Sequence, residues 1–246
     1  MTPGLLLTTL AYFVGGLVLY LAARQRKLAT EGIGWVVLAG LAGGVAGARL
    51  TEWVVSQWPT LAAQPLALLD PRLGGRTLIG GIVVGWVCVE IAKKRLGIRR
   101  STGDLFALAL PAGEAVGRLG CFFNGCCYGV ASGVPWSVYQ HEAWRHPAQL
   151  YAAGWAALTL GVLLAVRRRV PREGDLFRAY LVLFGLGRVG VELFRERTPV
   201  LAGLSTAQWI CLELALAGAA ALALSAWRAR PLPRPATETG GPEHVC

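Results

Sequence analysis

Gly117-Arg118-Leu119-Gly120-Cys121-Phe122-Phe123-Asn124-Gly125-Cys126-Cys127-Tyr128-Gly129 closes the fourth of seven apolar windows, and how it reads decides the fold. The stretch holds half of the chain's six cysteines, four glycines and an arginine expected at membrane depth. An ionised group there is costly and is usually retained for function. Glycines let backbones approach a ligand, and thiols bring nucleophilic or metal-binding chemistry. Four glycines in thirteen positions make a poor ordinary spanning helix. The stretch therefore reads as a loop or broken helix facing a protein-lined cavity.

Outward from it, the apolar windows run over residues 5–23, 33–55, 78–92, 105–120, 150–166, 176–194 and 206–227. Each is near the roughly 20 residues that cross a bilayer, with the third and fourth the shortest. With 54% hydrophobic and 15% charged residues and a mean hydropathy of +0.50, the 246-residue chain reads as polytopic. No cleavable signal peptide is expected, because the first window lacks a basic leader and continues into a full span. A net charge of +10 is compatible with nucleic-acid binding, but its placement argues against that. Fifteen of the 24 Lys and Arg cluster at 24–27, 93–100, 167–172 and 228–234, after windows one, three, five and seven. The positive-inside rule then predicts an all-α membrane protein: a seven-transmembrane helix bundle, N-terminus outside, C-terminus cytoplasmic. Residues 1–230 form the membrane domain. Residues 231–246, rich in Pro, Glu, Thr and Gly, read as a disordered cytoplasmic tail.

Ionisable residues inside the windows fall in couples at helical spacing: Arg49 with Glu52, Glu114 with Arg118, and Arg188 with Glu192. Each couple shares a helix face and can neutralise itself internally. Three arginines in three windows are nonetheless a costly way to hold a bundle together. The sequence favours their converging on an anionic ligand group, for which a guanidinium fork is suited. Glu90, beside Lys93 and Lys94, belongs at the cytoplasmic interface, and Glu213 is ambiguous. In Arg145-His146-Pro147-Ala148-Gln149-Leu150-Tyr151, His146 and Pro147 enter the fifth window, with Gln149 and Tyr151 toward the outer interface. Gly74-Gly75-Arg76-Thr77-Leu78-Ile79-Gly80-Gly81 predicts close backbone approach at the start of the third. Cys88 and Cys211 read as small buried hydrophobes, and Cys246 lacks a prenylation pattern.

These segments together resemble the prolipoprotein diacylglyceryl transferases, over roughly residues 10–225. Gly47-Ala48-Arg49-Leu50, the glycines around position 80, and Gly117-Arg118-Leu119-Gly120 with Phe122, Asn124, Gly125 and Gly129 are similar to that family's elements. So are residues 146–151, the segment from Arg188 to Arg195, and Gln208. Two departures stand out. Ile79 lies where the family has a histidine, and Cys121 and Cys126, the latter followed by Cys127, replace an asparagine and a glutamate. The resemblance implies a seven-span enzyme of the bacterial inner membrane, its site toward the outer leaflet. Such an enzyme moves diacylglyceryl from phosphatidylglycerol to a lipobox preprotein thiol and uses no cofactor. The candidate catalytic residues are Arg118, Arg188 and Glu192, which the resemblance implies, with Cys121, Cys126 and His146 added for their own chemistry. Substrate contacts fall to Arg49, Glu114, Asn124, Gly125, Cys127, Gly129, Gln149, Tyr151, Gly80 and Gly81.

Arg118 and Arg188 would bind phosphate and Glu192 would orient Arg188. Without the histidine, the base is left among Glu114, Glu192, His141, His146 and a cysteine thiolate. Three alternatives concern the thiols. One cysteine acts as a covalent nucleophile or redox centre; the thiols bind a soft metal, alone or with His141 or His146; or they merely pack. C-x4-C-C is not a recognised zinc spacing, so no metal is expected. An oxidising outer compartment makes a Cys121–Cys126 or Cys121–Cys127 bridge a further expectation.

Overall fold

A computed structural model describes residues 3–26, 32–69, 78–98, 101–170, 172–195 and 200–228. Seven long helices arise from the seven apolar windows: α1 (Pro3–Gln25), α2 (Ile33–Ser56), α4 (Leu78–Arg95), α5 (Gly103–Phe123), α6 (Ala148–Val166), α7 (Asp175–Glu192) and α8 (Thr206–Arg228). A short helix α3 (Trp58–Ala63) and a 3-10 turn (Pro65–Leu69) follow α2. Among the described residues, α1, α2, α5, α6 and α8 are long and apolar enough to cross a bilayer. The other two are 18 residues each and more polar: Glu90, Lys93, Lys94 and Arg95 fall in α4, and Asp175, Arg178, Arg188 and Glu192 in α7. The tail 231–246 and Gly74 to Thr77 lie outside the described residues.

The fold is all-α, as expected, with one small addition. Between α5 and α6 the chain forms an antiparallel hairpin, β1 (Val138–Gln140) with β2 (Ala143–Arg145), in which Tyr139 faces Trp144. His141 and Glu142 both have positive φ, 50° and 61°, as a tight two-residue hairpin turn requires. Backbone bonds Gly129 N–H to His146 O (3.0 Å) and Val130 N–H to Phe194 O (2.9 Å) lay this segment over the ends of α6 and α7. Apolar periodicity carries no signal for so short a hairpin.

The bundle core joins Leu19 and Ala23 of α1, Leu105 and Leu108 of α5, Leu163 of α6, and Tyr180 and Phe184 of α7. Outside it, large apolar side chains face outward, Phe13 (71% exposed) and Leu216 (61%) among them. That much exposed apolar surface suits lipid rather than water. At one end, buried Asp104 accepts from Arg26 (2.8 Å) and from the backbone N–H groups of Gly174 and Phe177 at the start of α7. One carboxylate thus ties α1, α5 and α7 together and caps a helix N-terminus. This end carries Arg26, Lys93, Lys94, Arg95, Arg167 and Arg172; Cys121, Cys126, Cys127 and the hairpin lie at the opposite end.

Candidate active site

Arg118 projects from α5 into a cleft shared with α6 and α7, whose walls include Glu114, Trp155, Thr159, Tyr180 and Arg188. The α5 spacing sets the first ion pair. Glu114 lies one turn before Arg118 and takes two N–H donors from it, Nη2 at 2.9 Å and Nε at 3.2 Å. Pro111, a turn earlier, lines the same cleft and leaves a helical carbonyl without its usual donor. On α7, Arg188 meets Glu192 at 3.2 Å, again at i,i+4, and Glu192 also holds Arg195 at 3.4 Å. Glu192 is buried and both arginines are largely so. The two arginines of the cleft are therefore fixed by their own carboxylates before any ligand arrives. Room for the wall comes from Gly187: a side chain there would run into the indole of Trp155, whose Nε1–H donates to Leu183 O at 2.8 Å.

Arg49 does not join them. Its Nε donates to Leu68 O (2.5 Å) in the 3-10 turn beyond α2, and it is absent from the cleft wall. The convergence of three arginines is thus a convergence of two. Nor do Gly80 and Gly81 face the cleft. A side chain on Gly80 would meet Gly47 O at 2.6 Å and one on Gly81 would meet Gly44 O at 3.0 Å. These glycines let α4 and α2 pack closely, as small residues do between membrane helices. Ile79, at the histidine position, lies in the first turn of α4.

At the end of α5 the chain reverses through Asn124, the C-cap, and Gly125 at φ 66°. Asn124 packs against Gly4 of α1 rather than into the cleft. Three bonds pin the reversal. Cys126 N–H donates to Cys121 O (3.1 Å), buried Gln149 donates to Cys126 O (2.8 Å), and His141 Nε2 contacts Gly125 O at 2.6 Å. Gln149 also reaches Gln140 at 3.1 Å. The sulfurs of Cys121, Cys126 and Cys127 are thereby gathered within 4.8 Å of one another. Neither expected disulfide is formed: all five described cysteines are free thiols, and Cys126 Sγ–H points to Cys121 O at 3.6 Å. Cys127 holds φ 60°, rare for a side-chain-bearing residue. Its thiol pKa is lowered to about 5, first by a hydrogen bond from Cys121 and then by the positive charge of Arg195 and Arg118, against the opposing effect of burial. Burial pushes the Cys126 thiol up.

Beside this turn, His146 Nδ1 meets the Tyr151 hydroxyl at 3.0 Å, and Trp136 Nε1–H donates to the same oxygen at 2.7 Å. Phe194 packs on both rings. Gly129 is held where any side chain would lie 2.5 Å from Phe194 O and 2.6 Å from His146 O. Sequence reasoning did not single out Tyr180 or Trp155, and it took Arg195 only as the end of the Arg188–Arg195 segment, with no role of its own. Arg195 stands at i+3 from Glu192, a spacing that could have found it. The two aromatics carry no local signal.

The prolipoprotein diacylglyceryl transferase family model matches residues 4–224, which takes in every element of this site. The chain belongs to that family. Among similar proteins are the phosphatidylglycerol--prolipoprotein diacylglyceryl transferases of Symbiobacterium thermophilum (33% identical, covering 83% of this chain and 80% of the relative) and Bordetella parapertussis (32%, covering 85% and 87%). That of Methylibium petroleiphilum is 33% identical over 90% of each chain. The likeness runs nearly end to end, so the family's transferase character belongs to the whole described bundle. The chain is a helical, multi-pass membrane transferase.

Proposed function

We propose that this chain transfers diacylglyceryl from phosphatidylglycerol, the donor named in its relatives, to the thiol of a lipobox preprotein. The observation that carries this is the pair Arg118 and Arg188, presented by two helices to one cleft and each held by a carboxylate. Two fixed guanidinium groups among apolar walls suit a phosphodiester with lipid tails attached. In the reaction the acceptor sulfur, as thiolate, attacks the glycerol carbon that bears the phosphate ester. The C–S bond forms, the C–O bond breaks, and the leaving glycerol phosphate carries away the bonding pair. Arg118 and Arg188 meet the charge that grows on that oxygen, in a site of low dielectric. Glu114 and Glu192 keep both forks aimed, so little reorganisation is needed as the bond breaks. Gln149, His146 and Tyr151 hold the hairpin segment at the start of α6, the end from which the acceptor enters in this reading.

All seven long helices are assigned as spans, with the cysteine end outside and the basic end cytoplasmic in the bacterial inner membrane. The site then opens toward the outer leaflet, and phospholipid reaches it sideways between helices. The test is complementation of a strain depleted of its own diacylglyceryl transferase, with lipidation of a lipobox preprotein as the readout. Wild-type chain should restore it. Arg118→Ala and Arg188→Ala should each lose roughly 10- to 150-fold, as expected for a charge-assisted hydrogen bond made to the leaving group. No lipidation by the wild-type chain, or full activity in both variants, refutes the proposal.

A further inference from the structure

The turn after α5 brings together more chemistry than phosphate binding uses. Three sulfurs from Cys121, Cys126 and Cys127 lie within 4.8 Å of one another, and among the described residues these are the only three ligand-type groups so gathered. Zinc bonded to thiolates at about 2.3 Å, with tetrahedral angles, sets sulfurs about 3.8 Å apart. The turn is therefore within side-chain adjustment of a binding geometry. Its backbone is held from outside the cluster by Gln149 on Cys126 O and His141 on Gly125 O. Such pinning lets Cys127 keep its left-handed φ of 60°, a conformation that persists when surroundings impose it. A disulfide would use only two of the three sulfurs and would need an oxidant; one soft cation uses all three.

We propose that Cys121, Cys126 and Cys127 bind one zinc ion as thiolates, leaving its fourth coordination position open. The C-x4-C-C spacing is unlike familiar zinc motifs because the chain doubles back at Gly125 rather than running on as helix or strand. Zinc takes the place of the three thiol protons, which pass to solvent. Three thiolates and a divalent ion sum to one negative charge, and Arg118 and Arg195 act electrostatically on Cys127 from beside it. Cys126 is exposed, so an ion can enter. His141 is held on Gly125 O and supplies no fourth ligand, which is the pattern of catalytic rather than structural zinc. Cys121 stands three residues beyond Arg118 on α5, about 4.5 Å along the axis. Resting on the transfer function proposed above, the open position takes the acceptor thiol. That thiol displaces a bound water and gives up its proton to it. A coordinated thiol is deprotonated outright, so no imidazole is required. After attack the product is a thioether, a weaker ligand that leaves.

The experiment uses full-length protein in detergent, stripped by a chelator and re-dialysed against zinc, with bound metal measured by elemental analysis. One zinc per chain is expected, and cobalt(II) in its place should give thiolate-to-metal charge-transfer absorption. Cys121→Ser, Cys126→Ser and Cys127→Ser should each weaken zinc affinity at least about tenfold. Cys88→Ser and Cys246→Ser should leave it unchanged. Below one-tenth of an equivalent of zinc in folded wild-type protein, or unchanged affinity in the three variants, overturns the site. Tight copper(I) binding without zinc overturns the choice of ion. The cobalt spectrum of wild-type protein decides the site even where a variant fails to fold. Transfer by zinc-free protein at the full rate overturns the role in acceptor activation while sparing the transferase function. Zinc bound with no lipidation by any preparation overturns the transferase function and spares the metal site.

Discussion

Replacing Glu192 with glutamine tests whether the carboxylates, rather than the arginines alone, build the site. Glu192 Oε2 lies 3.2 Å from Arg188 and 3.4 Å from Arg195, with its side chain 10% exposed. At an effective dielectric constant near 20, each contact is worth about 5 kcal/mol of direct attraction, much of it offset by desolvation. Removing one partner of a buried pair typically costs about 3–5 kcal/mol, because the opposite charge stays buried and uncompensated. Here two cations are left facing each other. The shape of glutamine and a remaining carbonyl acceptor bring the expectation to about 3 kcal/mol, at the lower end of that range. For a chain of this size that corresponds to a fall of roughly 6–12 °C in apparent melting temperature in detergent. Transfer should fall by more than stability explains. At a temperature where the variant is folded, kcat should drop on the order of 100-fold, since Arg188 loses its aim. Glu173→Gln, at an exposed acceptor for the Ser101 N–H, serves as the control and should cost less than about 1 kcal/mol. A Glu192→Gln protein melting within about 2 °C of wild type and turning over within about threefold would refute the reasoning.

Asp104→Asn should lower stability by about 1–3 kcal/mol, because Arg26 loses its counter-ion and one backbone N–H of α7 loses a charged acceptor. Lying at the end opposite the cysteines, it should leave kcat within about twofold where the protein is folded; a large kcat loss with unchanged melting would contradict this. Gly129→Ala places a methyl 2.5 Å from Phe194 O and 2.6 Å from His146 O, both backbone atoms. Overpacking of about 1–3 kcal/mol should follow, with faster hydrogen exchange over β1 and β2; exchange equal to wild type would show that the segment yields freely. Cys127 in metal-free protein has its pKa lowered to about 5, so its thiolate persists as pH falls and is lost only near that value. Alkylation mapped by mass spectrometry should be half-maximal at Cys127 near pH 5. Half-maximal reaction near the ordinary thiol pKa of about 8.5 would contradict that.

What was legible beforehand divides along the range of the interaction. The seven helices could be read from composition because each arises from one long apolar run, and every window lies inside an observed helix to within three residues. The Glu114–Arg118 and Arg188–Glu192 pairs were legible for the same local reason: a helix sets neighbours four apart on one face. Arg49 shares that local pattern, with Glu52 three residues on, and still stands elsewhere. Spacing says that two residues share a face, not which way the face points. Asp104 reads as an ordinary first-turn acid, yet its partners are 70 to 78 residues away in sequence. The three sulfurs meet because two residues, Gly125 and Cys127, take positive φ, one of them against its own preference. Glycine announces such a turn; cysteine does not. The chemistry most particular to this chain was therefore the least visible in its sequence. It depends on a backbone reversal held by Gln149 and His141, which belong to a different helix and a hairpin turn.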